Sequence, residues 1–288
     1  MSMDDKTVAS IKPDVLVPAE TEQKLEAIGV AKANMPMIRA IPLGIFAGIF
    51  IGMGGMMLGL VLGDSANMPF IAQRLLGGLG FCIGLILVLL AGAELFTGNN
   101  LIIAAVLSGK VPWGSYIKNL VIIWVTNLIG SLIAVAVVFL ANTGAMGPTP
   151  GAVGDAFINL AAMKATIPPL TLLFKAILCN FLVCLAVWMS FAGRTFVDKF
   201  FAILFPITAF VAAGAEHSVA NMFFLPMGYV LKLSGSAVGE KALEAADKID
   251  IGAIAYNLGM VTVGNMIGGI ILVGVLYWIA FHKPKAEK

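Results

Sequence analysis

The sequence predicts an all-α membrane protein: six transmembrane helices in two inverted three-helix repeats, with the second and fifth spans broken. Three observations predict it. First, the 288-residue chain is 60% apolar and only 12% charged, with mean hydropathy +0.98. Soluble domains are roughly half apolar and about a quarter charged. Second, its apolar runs reach the ~20 residues that a crossing needs. Third, the string Gly92-Ala93-Glu94-Leu95-Phe96-Thr97-Gly98-Asn99 returns as Gly214-Ala215-Glu216-His217-Ser218-Val219-Ala220-Asn221. Both copies read G-A-E-x-x-x-x-N, and both interrupt a long apolar segment. Hydrocarbon offers no water to backbone N–H and C=O groups, so a broken helix survives there only against protein or a wet cavity. Matched breaks in matched halves point to a translocation site at the midplane.

The spans read in order as about 38–63, 70–107 (broken near 92–100), 113–141, 168–192, 199–234 (broken near 214–222) and 252–281. Residues 1–36 form an N-terminal tail, 37–282 the transmembrane domain and 283–288 a polar C-terminal tail. The stretch from Met1 to Lys12 is polar, and the first apolar run begins too late for a cleaved signal peptide. From Pro18 to Asn34, proline at a helix start, acidic residues in the first turn and apolar Leu25, Ile28 and Ala31 predict a short amphipathic helix, ended before Pro36. An interfacial anchor is the plainer reading of it, and a lid over a pore mouth the functional one. The 142–167 and 235–250 stretches read as external connections, the latter with a short helix.

Each half carries an odd number of crossings, so the second copy lies upside down relative to the first. Asn127-Leu128-Ile129-Gly130 in the third span is echoed by Asn265-Met266-Ile267-Gly268 in the sixth. Gly77, Gly78, Gly80, Gly84 and Gly92, and Gly264, Gly268 and Gly269, are small-residue faces that let helices approach closely in lipid. Lys6, Lys12, Lys24, Lys32, Arg39, Lys110, Lys118, Arg194, Lys199, Lys283, Lys285 and Lys288 fall on one side of this topology. Arg74, Lys164, Lys175, Lys232, Lys241 and Lys248 fall elsewhere. The bias predicts both termini in the cytoplasm, and the chain is expected to be a multi-pass protein of the inner (plasma) membrane. A net charge of +2 leaves no nucleic-acid footprint. Cys82, Cys179 and Cys184 lie within spans and read as small packing residues; neither a metal site nor a cofactor is expected.

The chemistry-bearing residues gather at the breaks. His217 is the one histidine within a span, and ionisable groups at that depth are functional candidates by default. It suits hydrogen-bond donation to a small anion, or loan of a proton. Thr97, Asn99 and Asn100 offer neutral donors at the first break, while also capping broken helix ends. Glu94 and Glu216 suit an anion pathway poorly, because an unpartnered buried carboxylate is costly. They are expected to accept backbone N–H groups of their own loops, or to stay protonated, together with Gly98 and Asn99 as structural loop residues. Lys164 and Lys175 either snorkel or pair with an acid, or add a positive potential that draws anions into an outer vestibule. Phe81, Leu85, Leu95 and Phe210 flank the breaks as packing residues or as constrictions that exclude hydrated ions.

The motifs GAELFTGNN (92–100), NFLVCLAVWMSFAGR (180–194), GAEHSVANMFFLPMG (214–228) and VTVGNMIGG (261–269) together resemble the formate/nitrite transporter family, in order and with compatible spacing from Pro18 to Phe281. The resemblance implies an aquaporin-like protomer assembled as a homopentamer with one pore per subunit. It implies pore or substrate-binding roles for His217, Thr97, Asn180, Asn221, Asn265 and Lys164, and constrictions at Phe81, Leu85, Leu95 and Phe210. It also implies passage of formate, nitrite, hydrosulfide or lactate-like monovalent anions, often with a proton. PAETEQKLEAIGVAKA resembles the family's formate channels and LLFKAILCNFLVCLA its nitrite channels; the N-terminal helix tips the expectation to formate. A neutral-solute pore is disfavoured because neither break carries Asn-Pro-Ala, and an intramembrane enzyme because no H-E-x-x-H or second intramembrane histidine exists.

Overall fold

The computed structural model describes residues 14–282, so most of the N-terminal tail and all of the C-terminal tail lie outside the described residues. The elements are α1 (Pro18–Ala33), α2 (Met37–Gly63), α3 (Phe70–Ile86, continued by a π-helical turn over Leu87–Gly92), α4 (Phe96–Leu107), α5 (Trp113–Leu140) and α6 (Ala152–Ala165). They continue with α7 (Pro169–Ala192), α8 (Phe196–Ala212), α9 (Ser218–Leu233), α10 (Glu240–Ala246) and α11 (Ile251–Phe281, π-helical over Ile267–Val275). Proline stands immediately before α2, α3, α5 and α7 in extended backbone. Its fixed φ and missing N–H suit a helix threshold.

Helices α2, α3 with its π turn, α5, α7 and α11 are each long and apolar enough to cross a bilayer, whereas α4 and α9 are short. The second crossing is therefore α3 plus α4, and the fifth is α8 plus α9. The chain leaves helix at Ala93–Leu95 and again between Ala213 and His217, each time just after or at a glycine in left-handed backbone: Gly92 at φ 94° and Gly214 at φ 68°. Glycine takes that conformation without the clash a Cβ would bring.

The two halves pack alike. A Cβ on Gly130 would sit 2.0 Å from the carbonyl oxygen of Ile45, and one on Gly268 would sit 2.3 Å from that of Ile177. These contacts seat α5 on α2 and α11 on α7 at backbone distance, which only glycine permits. Gly264 against Ala176 and Gly78 against Thr208 likewise fulfil the small-residue faces read from the sequence. Cys82, Cys179 and Cys184 are buried free thiols.

Two segments depart from the sequence reading. The 142–167 stretch is no mere external connection: α6 folds into the core, with Phe157, Ile158 and Ala161 fully buried. At 14 residues it is too short to span, but its apolar residues recur at helical spacing. Helix α1 is no simple interfacial anchor either. Its buried stripe is Thr21, Glu22, Leu25, Glu26 and Gly29, while Ala31 is exposed. A Cβ on Gly29 would touch that of Ala105 at 3.1 Å, so α1 lies directly on α4. Within that face Glu26 is buried with partners: it accepts from Lys110 and Ser108, and its Oε1 lies 3.0 Å from His282 Nδ1. Helices α1 and α6 each precede the first span of a half, so each repeat holds a fourth helix.

Candidate permeation pathway

Each break is held by one asparagine from the last span of its own half. Asn127 Oδ1 accepts from Phe96 N–H at 2.9 Å, and its Nδ2 donates to the carbonyls of Glu94 (2.9 Å) and Gly44 (2.8 Å). Asn265 Oδ1 accepts from Ser218 N–H at 2.8 Å, and its Nδ2 donates to the carbonyls of Glu216 (2.9 Å) and Ala176 (2.8 Å). An amide side chain presents an acceptor and two donors in one plane, which matches the backbone groups that an interrupted helix leaves open. Asn127 and Asn265 are both fully buried, where an orphaned backbone group would be costly.

The glutamates of the repeated motif anchor a second pair of matching networks. Glu94 accepts from Lys32 Nζ at 2.7 Å and Asn99 Nδ2 at 2.8 Å, and Asn99 also donates to Asn119 Oδ1 at 2.9 Å. Glu216 accepts from Lys164 Nζ at 2.9 and 3.0 Å and from Asn221 Nδ2 at 2.7 Å, and Asn221 also donates to Asn257 Oδ1 at 2.8 Å. The asparagines close each loop on the lysine backbone: Asn119 donates to the Lys32 carbonyl and Asn257 to that of Lys164. This corrects the expectation for Glu94 and Glu216. Their partners are lysine and asparagine side chains, not loop N–H groups, and each carboxylate charge is answered by an ammonium. Lys32, on α1, was missed as a site residue. Its only signal was a lysine shortly before the first span, matching Lys164 before the fourth.

The breaks meet at Thr97 and His217, whose Oγ1 and Nε2 are 2.9 Å apart. His217 Nδ1 accepts the Ala220 N–H at 3.0 Å and so caps α9. With Nδ1 an acceptor, the ring proton is assigned to Nε2, which donates to Thr97 and leaves the threonine O–H free to donate. Both residues are buried, and α4 and α9 begin here, directing the positive ends of their dipoles at the junction.

Two cavities approach this junction from opposite sides. One, of about 310 Å³, is walled by α6 and α8 and reaches Arg74, Lys164, Lys175, Glu216, His217 and Asn221. Phe81 and Phe210 line it, meeting edge-on with ring centroids 5.6 Å apart, and Phe210 stacks on the His217 ring at 6.1 Å. The other is only about 30 Å³. Leu85, Leu95, Gly98 and Asn99 line it, and Leu25, Ile28, Gly29 and Lys32 of α1 cover it. The four predicted constriction residues thus divide by side, Phe81 and Phe210 against Leu85 and Leu95. All four are nearly inaccessible.

Asn180 and Asn265 line neither cavity. Asn180 Nδ2 donates to the carbonyls of Asn265 (2.7 Å) and Thr97 (3.3 Å), so both asparagines bind backbone at the breaks rather than facing an anion. Asn100 is fully buried behind the first break, and its side-chain amide has no hydrogen-bond partner among the described residues. Lys175 lines the larger cavity and has no ion pair to any described carboxylate.

Twin broken spans, two cavities and a polar junction between apolar collars define a membrane channel or transporter. The family model for formate/nitrite transporters matches residues 19–279. The chain is 37% identical to the formate channel FocA of Escherichia coli K12 over 273 residues, covering 93% of this chain and 95% of that one. It is 34% identical to the nitrite transporter NirC of Salmonella typhimurium, covering 84% and 82%. A solved pentameric formate channel with formate bound superposes with a TM-score of 0.73 at 33% identity, covering 85% of this chain and 98% of that chain. The chain belongs to the formate/nitrite transporter family and is a multi-pass membrane transporter of that kind rather than an enzyme.

Proposed function

We propose that the protein conducts formate across the plasma (inner) membrane, with proton co-transfer through His217, as a homopentamer with one pathway per subunit. Both termini are cytoplasmic in this reading, which puts the Lys164 cavity outside and the α1-covered cavity inside. The observation that carries it is the Thr97–His217 hydrogen bond, 2.9 Å long, joining the two breaks between paired apolar collars. Stripping water from an anion at such a collar costs several kcal/mol even after relaxation. The Thr97 O–H, the His217 Nε2–H and the converging helix dipoles offset part of that cost. Proton transfer would remove most of the rest by forming the neutral acid. For the Nε2 proton to leave, Nδ1 must exchange the Ala220 N–H for a proton, so transfer opens the α9 cap.

Formate flux into proteoliposomes, measured from pH 5 to pH 8, tests this. The His217→Phe variant is expected to lose the pH dependence, and His217→Asn to retain flux while losing it too. A pH profile identical to that of the parent protein would refute the histidine role. Nitrite or hydrosulfide is the alternative cargo, favoured by the NirC likeness; equal-gradient fluxes of the three anions decide the order.

Helix α1 acts as the lid of the inner mouth in this reading, and its docking is pH-dependent. Burial, then the hydrogen bond and charge of Glu26, push Glu22 up to about 7 from the ordinary 4.5, against the pull of Lys110. Burial also works on Glu26, but hydrogen bonds from Lys110 and Ser108 hold it below 4.5. Lys110 and His282 are the other charged or titratable groups facing the pair. A raised carboxyl supports docking fully below the undocked value and loses that support as pH rises through about 7. Glu26 has the opposite sign, but its support is lost only below 4.5. Between pH 5 and 8 Glu22 therefore decides. Amide exchange across α1, corrected for intrinsic rates, is expected to show greater protection at pH 5.5 than at pH 8, and Glu22→Gln to flatten the difference.

A further inference from the structure

The larger cavity carries more positive charge than its own acid can answer. Its lining holds three cations, Arg74, Lys164 and Lys175, against one carboxylate, Glu216. Lys164 engages both oxygens of that carboxylate. Arg74 and Lys175 are left without an ion pair to any described carboxylate, and Arg74 Nε is buried without a hydrogen-bond partner among the described residues. The Arg74 guanidinium lies over the Phe70 ring, 5.4 Å from its centroid. The Lys175 carbonyl accepts the Glu216 N–H at 3.2 Å, which ties the base of that side chain to the break.

These two cations converge. The point at which a Cβ of residue 214 would sit lies 2.7 Å from Arg74 Nη2 and 3.8 Å from Lys175 Nζ. Glycine leaves that point open, and its left-handed backbone disfavours any larger residue there. Two like charges brought over one bare backbone position, with an unsatisfied guanidinium N–H beside them, are unfavourable alone and favourable around an anion. The guanidinium fork matches two oxygens of one planar anion, and the ammonium adds a point charge.

We propose that Arg74 and Lys175 form an anion-docking subsite over Gly214, specific for small planar monovalent oxyanions such as a monocarboxylate or nitrite. It rests on the reading of the cavity as the outer vestibule of an anion pathway. An anion docks there, beside the break, before it loses its remaining water at Phe81 and Phe210. Lys164, neutralised by Glu216, is not the principal attractor.

Formate binding to the purified protein in detergent, by isothermal titration, and formate flux in proteoliposomes test the proposal together. The double variant Arg74→Gln/Lys175→Gln is expected to raise the dissociation constant and the half-saturating formate concentration about tenfold, with maximal flux changed less than twofold. Arg74→Lys keeps the charge but not the fork, and is expected to lose much of the affinity for formate and nitrite while leaving chloride competition unchanged. An unchanged oligomer elution serves as the folding control for each variant. Unaltered binding and half-saturation in the folded double variant would overturn the subsite while leaving formate conduction standing. A parent protein that binds formate at Arg74 but passes none would overturn the conduction reading and leave the subsite intact.

Discussion

Replacing Asn265 by leucine is expected to remove a large share of the protein's margin of stability. Three backbone groups lose their partner at once: the Ser218 N–H and the carbonyls of Glu216 and Ala176, all held at 2.8–2.9 Å. Each orphaned buried polar group costs about 1–3 kcal/mol. Three together amount to at least ~3 kcal/mol against a typical total of ~5–15. Water cannot make good the loss, because Asn265 is fully buried at membrane depth. Asn265→Asp keeps the acceptor and loses both donors, so it should fall between. The matching geometry of Asn127 predicts that Asn127→Leu is about as damaging. Thermal unfolding in detergent, read by loss of oligomer, measures all three. A melting temperature for Asn265→Leu within a degree of the parent would show that the clasp does not hold the break.

The second large effect is electrostatic. Lys164→Met leaves the Glu216 carboxyl without its ammonium partner, at side-chain exposures of 7% and 2% in the parent pair. Breaking a buried pair by removing one partner typically costs about 3–5 kcal/mol. The double variant Lys164→Met/Glu216→Gln removes both charges and keeps the Asn221 hydrogen bond available, so it should recover most of that loss. The twin substitution Lys32→Met should cost less, because Lys32 is 22% exposed and water screens its partner. A double-mutant cycle with no coupling between Lys164 and Glu216 would sink the account. If the double variant is stable yet conducts poorly, Lys164 contributes to transport beyond its pairing.

The pathway was legible where it obeyed a repeat. A carboxylate and an asparagine at fixed spacing, recurring in two apolar segments, located both breaks to within a few residues. They also singled out Thr97 and His217, which the fold brings within hydrogen-bonding distance. The repeat also marked Asn127 and Asn265, but not their work, because binding three backbone groups depends on which helix lies alongside. The pore role of Asn180 came from the family resemblance, whereas α7 turns its amide onto the carbonyls of Thr97 and Asn265.

Hydropathy could not find α6. A helix too short to cross, placed between two spans, reads as a loop until neighbouring helices supply the surface that buries it. The same blindness hid Lys32: nothing local distinguishes a lysine that reaches a carboxylate 62 positions away from one that faces solvent.

The sequence by itself determined the membrane class, the six crossings, the inverted halves and the two breaks, because hydrocarbon imposes length and hydrogen-bonding constraints that act segment by segment. Only the tertiary structure decided which lysine answers which glutamate, which asparagine seals which break, and that two cations face the larger cavity unpaired with any described carboxylate. Those outcomes depend on distances between segments far apart in the chain, and packing sets them.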